Sequence, residues 1–462
     1  MNRRGFITGF ASCIGAVSVS KVLGAEELAS VMKADLVFGV LSDVHLLDPG
    51  DEDTLLEAFR YFDRCKVDGV VIAGDIADRG KREQLQRCAA CWKQVFPGDK
   101  GSDGRHVEKL FVYGNHDVDG WGWGASEAER NEPAYRAQRI VPETRAEVWE
   151  ETFGEPFVPV WMKTVKGYTF VGAHWPAIKD APAFLRDNAA KLAGTRPFFY
   201  IQHAHPKNTC FGAWAWGRDD GASTKALSEF PNAVAFSGHS HYTLTDERSV
   251  WQGAFTSFNT ASLRYASTDY SLRENIKLNG HGYRGEGRKH AMDQIDTKTG
   301  RQGMVVRVYG STLVVERRDF VRGASLGPDW TLSIPGGPES SFAARAAKRS
   351  APEFAADAKV SVELTETQVK LGFPAARTVD GCRVSEYEVT ATLVEDDVDL
   401  VQAQRRMMAP DFFKPETPEG EAAEFVFNRA ELPLKGHYVF TVRPLECFGR
   451  KGRPLATAVT EL

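Results

Sequence analysis

Five short apolar runs in this chain each end directly on a cluster of residue types that bind metal ions in proteins. The runs are Leu36–Leu41, Val70–Ala73, Leu110–Tyr113, Phe198–Ile201 and Ala233–Phe236. The clusters that follow them are Asp43-Val44-His45, Gly74-Asp75-Ile76-Ala77-Asp78, Gly114-Asn115-His116-Asp117, Gln202-His203-Ala204-His205 and Gly238-His239-Ser240-His241. Buried strands that end in loops present polar side chains at the carboxyl edge of a sheet, where α/β proteins place their sites. The series therefore predicts one shared site.

The candidate ligands are carboxylates, imidazoles and an amide, with no thiolate among them. This set suits divalent Mn, Fe, Zn or Co and does not suit a cysteine-type structural zinc site. Seven candidates are too many for one tetrahedral ion but fit two ions that share a ligand. Asp75 is the natural bridge, because its carboxylate can give one oxygen to each ion. Two ions about 3.5–4 Å apart form the clamp used for in-line displacement at phosphorus.

The motif series resembles the calcineurin-like metallophosphoesterase superfamily over residues 34–320. The resemblance implies an α/β fold, with a two-sheet β-sandwich core flanked by helices. It implies that one ion is held by Asp43, His45, Asp75 and His241, and the other by Asp75, Asn115, His203 and His239. It further implies hydrolysis of a small-molecule phosphate ester through in-line attack of a metal-bridging hydroxide.

Three further roles follow from the same resemblance. His116 is expected to face the leaving-group oxygen as a general acid, or to steady the phosphoryl group. Asp78 is expected to orient His116 through a hydrogen bond. Arg79 resembles the phosphate-gripping arginine of the serine/threonine phosphatase branch, and a guanidinium suits bidentate phosphate binding.

The chain departs from the family pattern in two places. The fourth motif usually reads His-x-Pro, whereas this chain has His203-Ala204-His205-Pro206. We favour His203 as the ligand because it follows the apolar strand most directly, and His205 is the alternative. Purple acid phosphatases carry a tyrosine where this chain has Asp78, so a tyrosinate–iron arrangement is not supported.

Other interpretations of the site remain open at this point. The clustered residues could be hydrogen-bonded polar groups at turns, although buried carboxylates and imidazoles must be paired or metal-bound. The substrate could be a phosphodiester, such as a cyclic nucleotide, a nucleotide or a lipid headgroup, instead of a monoester. A third possibility is an inert phosphoesterase fold that serves as a surface-binding protein.

Length and charge narrow the class of protein. The chain has 462 residues, of which 42% are hydrophobic and 26% are charged, and its formal net charge is −5. That length predicts two or three domains, and the composition is normal for a globular protein. A general nucleic-acid binder would show a basic excess, so we do not expect binding to polymeric nucleic acid.

The N-terminus has the pattern of an export signal. Residues 1–25 combine a basic start, a short apolar centre and small residues at the end, which is typical of a signal peptide. The pair Arg3-Arg4, close to Phe6, resembles a twin-arginine signal. We therefore expect an exported bacterial protein, periplasmic or at the cell surface, with no stable membrane span after signal removal. The alternative is an ordinary N-terminal helix.

The stretches between the motifs predict the elements that position them. Leu55–Cys65 and Lys81–Phe96 have helical periodicity, so the first half alternates strands with helices. A long insert, about residues 118–156, holds Trp121 and Trp123, which could form a substrate-facing rim or could be core residues. The polar stretch 262–301 could lie over the metal cleft and offer cations, or could be a solvated excursion.

A second domain is expected near the C-terminus. Residues 323–350 are rich in Gly, Pro, Ser and Ala and read as a linker. Residues 355–462 show alternating apolar strands without a long helix, which predicts an all-β sandwich. The stretch Tyr438–Gly449 resembles the late strands of a fibronectin type III domain, so this domain could contact a surface partner.

The cysteines do not form a predicted metal site. Cys88 and Cys91 are spaced as C-x-x-C, but they fall on a predicted helix with no second pair, so we expect them to be core residues. Cys382 and Cys447 could meet in the C-terminal domain. A disulfide between them is possible in an exported protein.

Overall fold

The structure, a computed structural model, describes residues 33–210, 219–266, 300–395, 398–415, 417 and 420–462. The expected signal peptide, residues 1–25, lies outside the described residues, as does most of the stretch 262–301. Within the described ranges, no helix is long and apolar enough to cross a bilayer.

The N-terminal part contains a seven-stranded and a six-stranded sheet. Their strands are, in chain order, β1 (Leu36–Leu41), β2 (Gly69–Ala73), β3 (Glu108–Val112), β4 (Val160–Val165), β5 (Tyr168–Ala173), β6 (Phe198–Gln202), β7 (Ala233–Ser237), β8 (Val250–Gln252), β9 (Thr256–Asn259), β10 (Gln302–Tyr309), β11 (Thr312–Asp319), β12 (Ala324–Ser325) and β13 (Trp330–Ser333). The first sheet has the order β12-β11-β10-β1-β2-β3, with β13 paired to β11, and the second has the order β4-β5-β6-β7-β9-β8.

Both sheets combine parallel and antiparallel strands. In the first sheet β1, β2 and β3 are parallel, and β10 runs antiparallel to β1. In the second sheet β5, β6, β7 and β9 are parallel, and β4 and β8 are antiparallel to their neighbours. Parallel strands end at the same edge of a sheet, so the motifs that follow β1, β2 and β3 are brought together.

The two sheets pack face to face through aromatic side chains. The ring of Phe38 on β1 lies 5.3 Å from Phe170, 4.9 Å from Phe199 and 5.7 Å from Phe236, centroid to centroid. All four side chains are buried. Complete burial of a side chain of this kind contributes about 2 kcal/mol to folding. The strands read as continuous apolar runs because both of their faces are covered.

Helices cover the outer faces of the sheets. The α-helices described are α1 (Asp51–Arg64), α2 (Arg82–Val95), α3 (Asn115–Asp119), α4 (Glu127–Asn131), α5 (Pro133–Ala137), α6 (Arg145–Phe153), α7 (Ala181–Asp187), α8 (Ala189–Leu192), α9 (Ala222–Leu227) and α10 (Phe342–Ala347). Short 3₁₀ helices cover Trp175–Asp180, Glu247–Ser249, Pro338–Ser340 and Arg429–Glu431. The predicted α/β core with flanking helices is confirmed.

The two long helices follow the apolar periodicity of the sequence. Helix α1 buries Leu55, Phe59 and Phe62 against the first sheet, and α2 buries Leu85 and Trp92. Residues spaced by three or four lie on one face of a helix, which is why these side chains point the same way. The observed helix bounds differ by a few residues from the predicted ones, as helix ends commonly do.

The stretch expected to be a linker is partly structured. Strands β12 and β13 lie within residues 323–350 and pair with β11, with Trp330 opposite Val315. Trp330 is buried, so this stretch has an apolar anchor that its Gly- and Pro-rich composition hides. Helix α10 follows, and the side chain of Ser341 caps it by accepting a hydrogen bond from the Ala344 amide at 3.2 Å.

The C-terminal part is all-β, as predicted. Its strands are β14 (Ser361–Leu364), β15 (Gln368–Phe373), β16 (Val384–Glu395), β17 (Val398–Met408), β18 (Ala423–Asn428), β19 (His437–Glu446), β20 (Leu455–Ala456) and β21 (Thr460–Glu461). They form a three-stranded sheet, β14-β15-β18, and a five-stranded sheet, β17-β16-β19-β20 with β21 on β19. One apolar core joins residues of both sheets, as a sandwich requires. The resemblance to fibronectin type III stays a prediction.

Four of the six described cysteines lie in two buried pairs. Cys88 and Cys91 are buried on the inner face of α2. Cys382 and Cys447 are free thiols whose Sγ atoms lie 3.5 Å apart, beside the carboxylate of Glu446. The two thiols that could form a disulfide are therefore neighbours in space.

Polar contacts join the C-terminal part to the sheets that precede it. The side chain of Thr245 donates a hydrogen bond to the Phe412 carbonyl, and Gln302 donates one to the Phe413 carbonyl at 3.0 Å. The guanidinium of Arg383 donates to the Leu326 carbonyl at 2.8 Å. Thr245 and Gln302 are buried, so water does not replace these bonds easily.

Candidate metal centre

The five motifs meet at one edge of the paired sheets. The Asp43 amide donates a hydrogen bond to the Gly74 carbonyl at 3.0 Å, and the His45 amide donates to the Asp75 carbonyl at 3.0 Å. The amide of His239 donates to the Asp43 carboxylate at 3.0 Å, which ties the second sheet to the first. The loops that carry the first, second and fifth motifs are therefore joined by hydrogen bonds from their backbone amides.

Most of the predicted ligands have a left-handed backbone conformation. Five of the seven have φ values between 47° and 67°: Asp43, His45, Asp75, His239 and His241. Only a few per cent of non-glycine residues adopt positive φ, and each instance costs of order 1 kcal/mol or more. This strained conformation at the strand ends turns the five side chains toward a common point.

Glycines allow the loops to approach closely. A Cβ atom on Gly114 would lie 2.1 Å from Oδ1 of Asp75, and one on Gly238 would lie 2.3 Å from Oδ2 of Asp43. Real Cβ atoms do not come this close to other heavy atoms. These two glycines are therefore each needed to seat a carboxylate of a neighbouring loop.

Asp43, His45 and His241 form a first group. Oδ1 of Asp43 lies 2.9 Å from Nε2 of His241 and 3.7 Å from Nε2 of His45. The two Nε2 atoms lie 3.2 Å apart. All three side chains are buried. Their ligand atoms are close enough to share one ion.

Asp75, His203 and His239 form a second group. Oδ2 of Asp75 lies 2.9 Å from Nε2 of His203, and that nitrogen lies 3.3 Å from Nδ1 of His239. The other nitrogen of His203 lies 2.7 Å from the Ala73 carbonyl, which fixes the ring. A carbonyl bound to the far nitrogen of a ligand histidine is the usual way in which a protein orients such a ring.

Asp75 connects the two groups. Its Oδ2 atom lies 3.8 Å from Nε2 of His45 in the first group, as well as 2.9 Å from His203 in the second. The other oxygen of Asp75 accepts the amide hydrogen of His116 at 2.8 Å. This central position is the one expected for a bridging carboxylate.

Asn115 provides a buried oxygen without a partner. It is the first residue of α3, and its Oδ1 atom has no hydrogen-bond partner among the described residues. A buried polar atom that lacks a partner costs free energy, so it commonly marks a site for an ion or a ligand. Together with the converging nitrogens of the two groups, this oxygen fits divalent metal ions.

The neighbouring histidines lower the pKa values of the two buried carboxylates, Asp43 and Asp75. Burial alone raises the pKa of Asp43, but His241 and His203 outweigh it and hold that pKa well below its ordinary value. Burial likewise opposes the change at Asp75, and His203 and His45 lower the pKa of that carboxyl to about 2. Both groups are therefore ionised at neutral pH.

The negative charge of the carboxylates raises the pKa values of two histidines, His45 and His203. Burial lowers the pKa of His45, but Asp43 and Asp78 raise it to about 10. Burial also opposes the change at His203, where Asp75 and Asp43 raise the pKa to about 9. Metal ions bind the neutral imidazole, so protons and metal ions compete for these nitrogens.

His116 lies at the side of the site with its ring held by the backbone. Its ring is 4.4 Å from that of His45. Its Nδ1 atom donates to the carbonyl oxygen of Asp78 at 2.7 Å, whereas the Asp78 carboxylate is 3.9 Å away and instead lies 3.1 Å from Nδ1 of His45. Asp78 thus orients His116 through its main chain, and its carboxylate orients His45. Sequence alone cannot show whether the carbonyl or the carboxylate of Asp78 contacts His116.

Arg79 stands beside the site with free hydrogen-bonding capacity. Its Nε atom has no hydrogen-bond partner among the described residues and lies 4.0 Å from the Asp78 carboxylate. The side chain is 23% exposed, and the Arg79 amide donates to Gln84 at 3.0 Å. The guanidinium can therefore receive an anion.

The structure separates the two histidines of the fourth motif. His203 lies in the second group, whereas Nε2 of His205 lies 2.9 Å from the Ser240 hydroxyl. His205 is buried, and its burial lowers its pKa to about 3. The geometry thus brings His203 to the other candidate ligands, although its role as a ligand stays a prediction.

Sequence reasoning missed two residues that support the site. The carboxylate of Asp117 accepts the amides of Ala77 and Gly114 at 2.7 Å each, which joins the second and third motifs. Its position within Gly-Asn-His-Asp was the available signal. The ring of Trp175 lies 5.6 Å from that of His239, and no pattern in the sequence marked it.

Tyr265 lies at the far side of the first group. Its ring is 4.3 Å from His241 and 6.2 Å from His45. Partial burial and the nearby Asp43 raise its pKa to about 12. The phenol is therefore neutral at physiological pH.

Comparison with known proteins agrees with this geometry. Residues 36–243 match the family model described as calcineurin-like phosphoesterase. This region, which is less than half of the chain, matches that family, and the protein is accordingly a hydrolase that acts on ester bonds. The resemblance seen in the motifs is thus confirmed. No curated protein matches the chain.

Similar solved structures include three distant ones. A dimetal phosphatase from Danio rerio is 12% identical, with a TM-score of 0.40, and covers 65% of this chain and 100% of its own. GAP50, the anchor in the inner membrane complex of Plasmodium, is 11% identical, with a TM-score of 0.38 and coverage of 66% and 90%. Purple acid phosphatase PPD1 from yellow lupin (Lupinus luteus) seeds is 13% identical, with a TM-score of 0.39 and coverage of 66% and 56%. Values this low carry no argument about function.

Proposed function

We propose that the protein is an exported phosphoesterase that uses two divalent metal ions to hydrolyse a small-molecule phosphate ester. The observation that carries the proposal is the position of Asp75, whose carboxylate lies within 4 Å of an imidazole from each of the two ligand groups. A carboxylate in that position is suited to two cations.

Seven residues of this chain would hold the ions. Asp43, His45, Asp75 and His241 would hold one, and Asp75, Asn115, His203 and His239 would hold the other. When bound, such ions neutralise the phosphoryl oxygens and make water a nucleophile at neutral pH. The donor set does not distinguish Mn, Fe, Zn and Co.

Residues beside the metal ligands would contact the phosphoryl oxygens and the leaving group of the substrate. The guanidinium of Arg79 would bind phosphoryl oxygens, because its Nε makes no hydrogen bond to another described residue. His116 lies beside His45 and would face the leaving-group oxygen. The Asp78 carbonyl would keep the His116 ring in one orientation.

Substitution of the bridging residue tests the proposal. Asp75→Asn keeps the size of the side chain but removes the charge, so we expect loss of both metal ions and at least a hundredfold fall in turnover of an aryl phosphate. Elemental analysis and initial rates with each metal would measure this. Asp187→Asn, at an exposed position of α7, is the matched control.

The outcomes separate the competing interpretations. Wild-type rates in Asp75→Asn would show that the bridging role is wrong. A wild-type protein that binds no metal ion would favour an inert binding protein on the same fold. Rates with paired monoester and diester substrates would decide between a phosphomonoesterase and a phosphodiesterase.

Export is part of the proposal and is supported by the N-terminal sequence alone. The basic pair Arg3-Arg4 and the small residues before Ala25 are the supporting features. The N-terminal residue of the protein purified from its own cells would test it. A protein that keeps residues 1–25 in the cytoplasm would contradict export.

A further inference from the structure

Two aromatic side chains are exposed to an unusual degree. Among the described residues, the most exposed large aromatic side chains are Trp123, at 44%, and Tyr265, at 38%. Folding normally removes such surface from water, and exposed apolar surface on a soluble protein commonly marks a binding site. Their shared location is therefore informative.

Both exposed rings lie at the candidate metal centre. The ring of Trp123 is 4.5 Å from that of His116, at an interplanar angle of 86°. The ring of Tyr265 is 4.3 Å from that of His241. His45 lies between them, 4.4 Å from His116 and 6.2 Å from Tyr265. The five rings form a continuous row with an exposed aromatic at each end.

The turn that carries Trp123 is specified by glycines. Gly122 and Gly124 on either side have φ values of 83° and 68°, a conformation that glycine adopts without strain. A Cβ atom on Gly124 would lie 3.1 Å from Nη2 of Arg79. The loop therefore places the indole beside His116, the expected leaving-group residue, and places the backbone of Gly124 beside Arg79, the expected phosphate-binding residue.

We propose that Trp123 is a specificity-determining residue, and that the substrate is a phosphate ester whose leaving group contains a planar aromatic ring, such as an aryl group or a nucleobase. The inference rests on the proposed function, because it takes His116 as the residue beside the leaving group. The indole offers a flat apolar face to such a ring, and aromatic pairs gain more than their buried area alone would give. Tyr265 stands at the other end of the row of rings.

A competing explanation is that Trp123 only steadies the ring of His116. In that case removal of the indole would slow all substrates equally. In the proposed role it would slow aromatic esters selectively, mainly through KM. A matched pair of substrates separates the two explanations.

Benzyl phosphate and cyclohexylmethyl phosphate form such a pair, because both release an alcohol of similar size and only one is aromatic. Each would be assayed as the monoester and as its methyl diester. We expect Trp123→Ala to lower kcat/KM for the benzyl ester about tenfold relative to the cyclohexylmethyl ester. Trp123→Phe should keep most of the preference, and Val379→Ala, at an exposed position of the C-terminal part, should change neither rate.

Equal effects of Trp123→Ala on both substrates, or no effect on either, would overturn the inference and leave the proposed function intact. Failure of the metal-loaded wild-type enzyme to hydrolyse any of the four esters would instead overturn the proposed function. Circular dichroism of each variant would show that the fold is unchanged.

Discussion

His116 shows how one hydrogen bond can define the chemistry of a residue. Its Nδ1 atom donates to the Asp78 carbonyl, so the neutral ring carries its proton there and has a lone pair at Nε2. Burial lowers the pKa of His116 below its ordinary value. The ring is thus an acceptor at Nε2 near neutral pH, and it acts as an acid only after it takes up a proton.

His174 is a buried histidine outside the candidate ligand set. Its Nδ1 atom accepts the Tyr113 amide hydrogen at 2.9 Å, directly before the third motif, and the rings of Trp149 and Phe157 pack against it. Burial lowers its pKa to about 3. The folded protein therefore holds His174 neutral, and the contact supports the backbone that leads into Asn115.

This lowered pKa predicts acid sensitivity. The folded pKa lies below the unfolded value, so the stabilisation is complete above about pH 6.5 and is lost as the pH falls toward about 3. Between about pH 7.5 and pH 5 the loss should be about 2 kcal/mol. His174→Asn keeps a hydrogen-bond acceptor but does not titrate. Between about pH 7.5 and pH 5, the unfolding free energy of this variant should therefore fall by about 2 kcal/mol less than that of the wild type.

Urea unfolding of the two metal-free proteins at both pH values would measure the difference. Other buried histidines titrate in both proteins and cancel in the comparison. Parallel losses in the wild type and in His174→Asn would show that His174 does not control the acid response.

At the scale of elements, the site depends on how strands end. Gly238 follows β7, and a Cβ atom there would lie 1.8 Å from the Ser42 hydroxyl and 2.3 Å from the Asp43 carboxylate. The second sheet can approach the first only because this position has no side chain. The geometry of one loop therefore controls the position of a candidate ligand on another.

Gly238→Ala should disturb the metal site more than the fold. We expect metal affinity to fall at least tenfold and the unfolding free energy to fall by about 1–3 kcal/mol, because the added methyl group displaces Asp43. Isothermal titration with Mn²⁺ and chemical unfolding would measure both. Gly194→Ala is the matched control, since a Cβ there has no atom within 4 Å. Unchanged affinity in Gly238→Ala would contradict the prediction.

The elements most visible in the sequence are those with strong local patterns. The apolar runs before Asp43 and Asp75 became β1 and β2, because a strand covered on both faces must be apolar throughout. The periodicity of α1 was equally clear. The strand β13 was hidden, because its pairing with β11 depends on a distant partner and its composition is that of a loop.

Side-chain partners at the site were less predictable. The motifs indicated which residues meet, but not that the Asp78 carboxylate faces His45 or that Asp117 joins two loops. Those contacts depend on displacements of about one ångström, which spacing along a chain does not encode. The exposure of Trp123 likewise depends on the fold of the insert, and sequence left rim and core as alternatives.

At the scale of the whole molecule, Gln302 connects the two parts of the chain. Its amide nitrogen donates to the Phe413 carbonyl at 3.0 Å, and its oxygen accepts the Leu244 amide at 2.8 Å. The side chain is buried, and the bonded loop lies three residues beyond His241. The C-terminal part is therefore linked to the segment that carries the last motif.

Removal of this link should uncouple the two parts. Gln302→Ala leaves buried backbone groups unpaired, so we expect a loss of about 2–4 kcal/mol in unfolding free energy. Scanning calorimetry should also show a broader transition, or two transitions in place of one. Gln94→Ala, on the exposed face of α2, should change neither. A Gln302→Ala protein as stable as the wild type would show that this contact does not join the two parts.

The left-handed backbone at five candidate ligands has a consequence for how this protein could change. Glycine would relieve the strain at each of these positions, at about 1 kcal/mol apiece, while removing a side chain that gathers a cation. Each such change would also leave a buried charged partner unpaired, as His241 would be without Asp43, and that costs about 3–5 kcal/mol. The strained backbone is therefore retained even without selection for catalysis, because the members of the set neutralise one another.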